Sequence, residues 1–304
     1  MNTNQIPTAA TSLETPSATQ VSVVGLPYHR TALANPRHRW WRPLATVVVT
    51  VAAWLVLSNL FSFAVGYVVA GDPALAAALH TGGPLPNPNH AVGALHLFGQ
   101  LALLLPAIAL GVRVGERRSL GTLSSIAARL RLDHLRSSFA IAAAVLVVMV
   151  GLATVIGLAT GSVPAPRFSA TTVGMLAVAL LLVPVQAAAE EYAFRALPQQ
   201  VLGAWLKSPW WGILLPVPLF VAGHLYDLPG LVSVGVLALV AGILTWRTGG
   251  LEAAIALHVV NNVLGVGLAA FGAGDLAATS IPVVSSVLSV AGAVVYSVVI
   301  LRRQ

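Results

Sequence analysis

The sequence predicts an all-α protein, a polytopic bundle of about eight transmembrane helices. Hydrophobic residues make up 57% of its 304 residues and charged residues only 8%, which leaves too few polar groups to cover a water-soluble globule of this size. Apolar runs of about 20 residues, the length that crosses a bilayer as a helix, recur along the chain. The alternation of period two that an outer-membrane barrel requires is missing.

Gly/Pro-rich or polar segments separate the apolar runs and give the ends of the predicted spans. The predicted spans are 44–70, 91–112, 138–160, 173–195, 210–226, 229–247, 250–271 and 281–301. We assign residues 37–304 to one transmembrane domain. Residues 1–36 are polar and rich in Thr, Ser, Ala and Pro, and we expect them to form a disordered cytoplasmic tail.

Arginine is distributed unevenly between the predicted loops. Alternate loops are arginine-rich, above all the segment 113–136 between the second and third spans, whereas the opposite loops contain only Arg167. Because Lys and Arg near span ends favour the cytoplasm, this asymmetry predicts that both termini are cytoplasmic. The net charge of +7 is therefore read as a topology signal and as contact with anionic lipid, and no nucleic-acid partner is expected.

The connection between spans 2 and 3 carries apolar residues on one helical face. From Ser119 as N-cap to His134 on that face, the spacing predicts an amphipathic helix lying in the membrane interface. The chain has no cysteine, which excludes disulfides and thiolate chemistry.

Two adjacent carboxylates, Glu190 and Glu191, end the long apolar run 173–189 in a chain with only nine acidic residues. Burying an ionised carboxylate in hydrocarbon is costly, so this pair marks the first candidate site. On a helix, Glu191 and Arg195 share one face as an i, i+4 pair, while Glu190 points about 100° away. One carboxylate can be neutralised locally while the other stays available.

Two further polar clusters interrupt apolar spans downstream. His224 follows Phe220 by one helical turn, and His258 and Asn262 share one face of the seventh span, with Asn261 turned away. A carboxylate and imidazoles facing one cavity could activate water directly, with Glu190 as the base. They could equally bind Zn²⁺ through the two His residues and a Glu.

In this order the three clusters resemble the motifs of the CPBP family, also called Abi, whose members are similar to the CAAX prenyl endopeptidase type II. These motifs are Glu190-Glu191-xxx-Arg195, Phe220-xxx-His224 and His258-xxx-Asn262. The resemblance covers about 170–270 and extends to lysostaphin-resistance and bacteriocin-immunity proteins. It implies an intramembrane endopeptidase, a family once classed as metalloproteases and since reinterpreted as glutamate-dependent.

Carried over residue by residue, the resemblance implies that Glu190 is the general base acting on water with His224. His258 and Asn262 are then expected to form the oxyanion site. We prefer a mechanism without a cofactor; if zinc is bound, the ligands would be His224, His258 and Glu190. The expected partners are membrane lipid and a membrane-associated protein or peptide substrate.

The same resemblance gives Glu191 and Arg195 a supporting role. Two alternative functions remain open from the residues alone, namely a proton-coupled transporter that uses the same Glu and His residues, and a non-catalytic immunity or scaffolding protein. One Lys against 15 Arg, with abundant Ala, Val and Leu, is compatible with a GC-rich bacterial genome and predicts a bacterial plasma membrane location.

Three lesser expectations follow from position along the spans. His96 and Gln100 are expected to make interhelical hydrogen bonds, and Glu252 to stabilise a helix N-terminus. If span 4 ends at 195, Glu190 lies one to two turns from the cytoplasmic end, whereas His224 lies 14 residues beyond Trp210. We therefore expect a break or tilt at prolines 209, 216 and 218, or an embedded segment 198–206.

Overall fold

The computed structural model describes residues 25–79 and 86–303. Within these residues the protein is helical, and its only β-type pairing is an isolated bridge between Ser125 and Gly250. Numbered in chain order, the helices are α1 Arg42–Ala70, α2 Pro73–Leu79, α3 Ala91–Glu116, α4 Gly121–Ser124, α5 Leu132–Thr160, α6 Thr172–Gly203, α7 Trp210–Leu214, α8 Pro216–Ala222, α9 Leu228–Thr248, α10 Glu252–Ala270 and α11 Val283–Leu301.

Seven helices in the described part of the chain are long and apolar enough to cross a membrane: α1, α3, α5, α6, α9, α10 and α11. They correspond to seven of the predicted spans and confirm the helical membrane fold. The remaining predicted span, 210–226, is the shorter apolar segment Trp210–Ala222. It is divided into α7 and α8 before Pro216, which cannot donate a backbone hydrogen bond to the preceding turn.

The prediction that residues 1–36 form a disordered tail is wrong for residues 25–36. Residues 1–24 lie outside the described residues, but Tyr28–Ala34 forms a 3-10 helix, which we call the N-terminal strap. Tyr28 is buried and donates its hydroxyl hydrogen bond to the Leu123 carbonyl. Gly203 makes this docking possible, because a Cβ there would lie 1.7 Å from the carbonyl oxygen of His29.

The connection between α3 and α5 also differs from its prediction. Instead of one amphipathic helix, only the four residues of α4 are helical. Ser125 is extended and pairs with Gly250 at the α9–α10 turn, where the Ile126 N–H donates to the Gly249 carbonyl at 2.9 Å. Backbone pairing with a distant segment competes here with local helix formation, and the helical spacing in the sequence does not reveal it.

Helix α10 lies at the centre of the bundle, in contact with α5, α6 and α9. Its first two turns, 252–259, are buried throughout. Glu252 pairs with Arg131, at 2.7 Å between Oε2 and Nη2, and so fixes the start of α10. The structural role expected for Glu252 is therefore present, with a long-range partner added.

Polar contacts also join α1 and α3 inside the bundle. The Gln100 amide donates to Ser62 Oγ at 2.6 Å, and His96 Nε2 lies 3.1 Å from the same oxygen. This is the interhelical hydrogen bonding expected for His96 and Gln100. The strap, the end of α3 and the end of α11 lie together with most arginines, and we call this side of the bundle the arginine-rich end.

Helix α6 continues past the predicted end at 195 to Gly203. Glu190 therefore lies 13 residues before its end (190 to 203), about 20 Å at ~1.5 Å per residue. The expected position one to two turns from the end is thus wrong. His224 lies a similar distance after Trp210, and the segment 198–203 is largely buried and packs against α7.

Two π-helical turns, Val178–Leu182 and Tyr192–Ala196, interrupt α6. In the second, the Leu197 N–H bonds to the Tyr192 carbonyl, five residues back. This wider turn comes directly before Pro198, whose ring would clash with the preceding turn of a regular helix. The helix can therefore pass through Pro198 without ending.

Candidate active site

The two adjacent carboxylates have different surroundings. The Glu191 side chain is fully buried and its Oε1 lies 3.1 Å from Arg195 Nη1, whereas the Glu190 side chain is 10% exposed. Arg195 is itself buried, with its guanidinium carbon 4.3 Å from the centroid of the Phe220 ring. A cation over an aromatic face gains electrostatic stabilisation, so Arg195 is held by both contacts.

His258 joins the two carboxylates across the α6–α10 interface. Its Nδ1 donates to Glu191 Oε1 at 2.6 Å, and its Nε2 lies 3.5 Å from Glu190 Oε2. The helical register explains this convergence, because successive residues of α6 can reach the two sides of one imidazole ring. The hydrogen bond to Glu191 fixes the proton of the ring on Nδ1 and orients Nε2 towards Glu190.

Asn262 follows His258 by one turn of α10 and lies beside α6. Its Nδ2 donates to Gln186 Oε1 at 3.4 Å, and its Oδ1 accepts from Asn261 Nδ2 at 3.1 Å. Gln186 is buried and lies one turn before Glu190. The sequence analysis overlooked Gln186, although its i, i+4 spacing from Glu190 could have indicated it.

His224 occupies the turn after α8, at the edge of this cluster. Its Nδ1 donates to the Phe220 carbonyl at 2.9 Å, which leaves Nε2 as an acceptor. Within the described residues, no hydrogen bond joins it to Glu190, His258 or Asn262. Phe220 connects it to the others, with ring centroids 5.0 Å from His224 and 5.9 Å from His258. Phe220 is thus a second residue whose role the sequence analysis did not assign.

The residues as placed do not fit a zinc site. Zinc requires three or four ligands that converge on one point, and in the described segments 25–79 and 86–303 no three His, Asp or Glu side chains are so arranged. Both nitrogens of His258 face carboxylates instead, and His224 Nδ1 faces a carbonyl. We therefore derive no step through a metal.

The Glu191 carboxylate also has an indirect link to the arginine-rich end of the bundle. Tyr192, the next residue, hydrogen-bonds Ser124 of α4 through its hydroxyl. Tyr28, Leu123 and Tyr192 belong to one buried apolar cluster. The strap and α4 therefore pack directly over the turn of α6 that carries the two carboxylates.

Comparison with known proteins gives one match. The family model for type II CAAX prenyl endopeptidase Rce1-like proteins matches residues 170–264, which are 95 of the 304 residues and include all three motifs. No curated protein and no solved structure matches the chain. Through residues 170–264 the chain is similar to the CAAX-type intramembrane proteases of this family, which supports its membership of the CPBP family.

Proposed function

We propose that the protein is an intramembrane endopeptidase that hydrolyses a peptide bond of a membrane-associated protein or peptide through a water activated by Glu190. The observation that carries this proposal is the pair of unlike carboxylates on either side of His258. Glu191 is fully buried and contacts both Arg195 and His258. Glu190 is 10% exposed, and its contact is with His258 Nε2 at 3.5 Å. A general base must be free to accept a proton, and of the two carboxylates only Glu190 meets this requirement.

In the proposed reaction, Glu190 accepts a proton from water while the oxygen of that water attacks the carbonyl carbon of the substrate. His224 orients the water through its free Nε2. The oxyanion accepts a hydrogen bond from Asn262 Nδ2 and, when the His258 ring carries a proton on both nitrogens, a second one from its Nε2. When the tetrahedral intermediate collapses, the C–N bond breaks and Glu190 returns its proton to the leaving amine.

In this proposal Glu191 and Arg195 position other residues. The bond from Nδ1 of His258 to Glu191 sets the angle of the imidazole, and Arg195 offsets the cost of burying the carboxylate. A fixed ring matters because displacement of a catalytic group by about 1 Å can reduce the rate by ~100-fold.

The proposal takes the reaction to be metal-free and the location to be a bacterial plasma membrane. Elemental analysis of the purified protein, with assays in the presence of a chelator, tests the first of these. Stoichiometric zinc that is lost together with activity would overturn the metal-free mechanism. The class of substrate follows from the family, and neither prenylation nor a particular sequence is assumed.

The direct test compares membrane proteomes of cells that express the wild type, Glu190→Gln or Asp133→Asn. Loss of the base predicts that cleavage of a substrate falls ~100-fold or more in Glu190→Gln. Asp133→Asn makes the same acid-to-amide change at a side chain that is 99% exposed, and we expect it to cleave normally. All three proteins should insert equally.

His224→Ala extends this test to the water-orienting residue and should also remove cleavage. Full activity in either Glu190→Gln or His224→Ala contradicts the proposed mechanism. Absence of any cleaved product with the wild-type protein would favour the non-catalytic alternative.

A further inference from the structure

A second polar cavity lies at the arginine-rich end, apart from the candidate active site. It has a volume of about 380 Å³ and opens between the start of α5 and the end of α11, with the α9–α10 turn as its third wall. Ligand pockets typically begin at about 300 Å³. Glu252 lines this cavity six residues before His258, so the two sites are separated by more than a turn of α10.

The walls of the cavity have an excess of positive charge. Its one acidic residue, Glu252, is 1% exposed and already binds Arg131 through both carboxylate oxygens. Arg131 uses Nε and Nη2 in these contacts and Nη2 also donates to the Thr248 carbonyl, which leaves its Nη1. Arg303 makes no ion pair with any residue in the described segments and is exposed. Its charge therefore remains available to a ligand.

The start of α5 adds backbone donors to the same cavity. The first N–H groups of a helix lack intrahelical partners, and Arg131 at the N-cap supplies no side-chain cap. His134 and Ser137 from the first two turns line the wall and are exposed. Asp133 in the same turn lies 3.9 Å from Arg136, with a side chain 99% exposed. The helix start thus reinforces attraction for an anion.

The remaining wall is apolar. Ile141 and Ile300 line the cavity from α5 and α11, two of the membrane-spanning helices. Leu132, at the very start of α5, is 57% exposed. Basic groups above a hydrocarbon wall, at the level where spanning helices end, match a ligand with an anionic head and apolar tails.

We propose that this cavity binds the phosphate of an anionic phospholipid, with Arg303, His134 and the amides at the start of α5 as donors and the acyl chains against Ile141 and Ile300. The site is independent of the proposed protease reaction. Inorganic phosphate shares the head chemistry but lacks the acyl chains, so the two sources can be distinguished by experiment.

The test counts bound phosphatidylglycerol on the full-length protein by native mass spectrometry, with phosphatidylcholine as the neutral lipid. Loss of charge-assisted hydrogen bonds in Arg303→Ala with His134→Ala should weaken phosphatidylglycerol binding by about tenfold. Arg113→Ala removes the same charge from an exposed position outside the cavity and should leave binding within about twofold. Phosphatidylcholine should bind more weakly than phosphatidylglycerol to the wild type.

Ser137→Trp tests the volume of the cavity independently of its charge, because the variant keeps every charged group while the indole fills the space. It should weaken phosphatidylglycerol binding as strongly as the double variant. Equal loss in Arg113→Ala, or unchanged binding in Ser137→Trp, would mean general surface attraction and would overturn the proposal. Complete displacement of the lipid by equimolar inorganic phosphate would also overturn it.

Discussion

At the scale of single residues, the two neighbouring glutamates are predicted to respond differently to the same substitution. Glu191→Gln leaves buried Arg195 without its anion and should reduce the free energy of unfolding by about 3–5 kcal/mol. Glu190→Gln removes only the 3.5 Å contact with His258 and should cost on the order of 1 kcal/mol. Thermal unfolding of both variants in detergent measures the difference.

Equal destabilisation by the two substitutions would show that the carboxylates share one structural task. A Glu191→Gln protein as stable as the wild type would show that the ion pair with Arg195 does not stabilise the fold. Either result would contradict the separation of roles that underlies the proposed mechanism.

The sequence predicted the candidate residues at this scale, but it did not predict how they contact one another. The phase of an α-helix separates Glu190 from Glu191, and that separation holds in the structure. Contacts made across helices are a different matter. The hydrogen bond from His258 to Glu191, and the position of Phe220 between His224 and His258, depend on α6, α8 and α10 meeting in space.

At the scale of helices, the close approach of α7 to α6 determines where Phe220 lies. A Cβ on Gly212 would stand 2.5 Å from the Gln199 Cα, a backbone atom that cannot rotate away. Gly212→Ala should therefore separate these helices, cost about 1–3 kcal/mol of unfolding free energy and lower cleavage by displacing Phe220.

Gly66→Ala is the matched control for this substitution, because nothing lies within 4 Å of the added Cβ in α1. Alanine is the better helix former, so stability should stay the same or rise by roughly 0.5–1 kcal/mol. If Gly212→Ala behaves like Gly66→Ala, close packing of α6 on α7 does not position the site.

Hydropathy predicted seven of these helices because each contains enough apolar residues to cross a bilayer. It could not predict the strap, because the seven residues Tyr28–Ala34 are too few to cross a bilayer and are buried by tertiary contacts. Hydropathy also placed the end of the fourth span at 195 and the end of the fifth at 226. The fourth helix continues to Gly203, because the π-helical turn lets it pass through Pro198, and the fifth ends earlier, at Ala222.

At the scale of the whole molecule, docking of the strap should depend on pH. Burial lowers the pKa of His29 below its usual 6.5, and the neighbouring charge of Arg30 acts in the same direction; the hydrogen bond from Nε2 to the Lys207 carbonyl opposes them. Because the folded-state pKa is depressed, docking is fully favoured above pH 6.5. Its contribution to stability is lost as the pH falls below that value towards the folded-state pKa.

The cysteine-free chain makes this undocking measurable. Thiol labelling of Thr31→Cys, a position within the strap that is 3% exposed, should accelerate below pH 6.5 relative to an exposed Arg113→Cys. His29→Gln keeps a hydrogen-bond donor without the titrating group, so it should abolish the acceleration. A constant labelling ratio across this range would contradict the prediction.

Orientation in the membrane can be tested with the same background. The arginine-rich end is predicted to face the cytoplasm, so Arg303→Cys should react with an impermeant maleimide only after cells are permeabilised. Ala277→Cys, exposed in the α10–α11 loop at the other end, should react in intact cells. The reverse pattern would place both termini outside.

The π-helical turn Tyr192–Ala196 makes the spacing along α6 intolerant of deletions. It contains one residue more than a regular turn, and one residue corresponds to about 100° of rotation around a helix axis. Deleting one residue there would give a more regular helix, yet it would rotate the segment that ends at Gly203 relative to the two glutamates. The strap docks on the segment that ends at Gly203, and His258 contacts the two glutamates. A regular helix would therefore keep only one of these two sets of contacts.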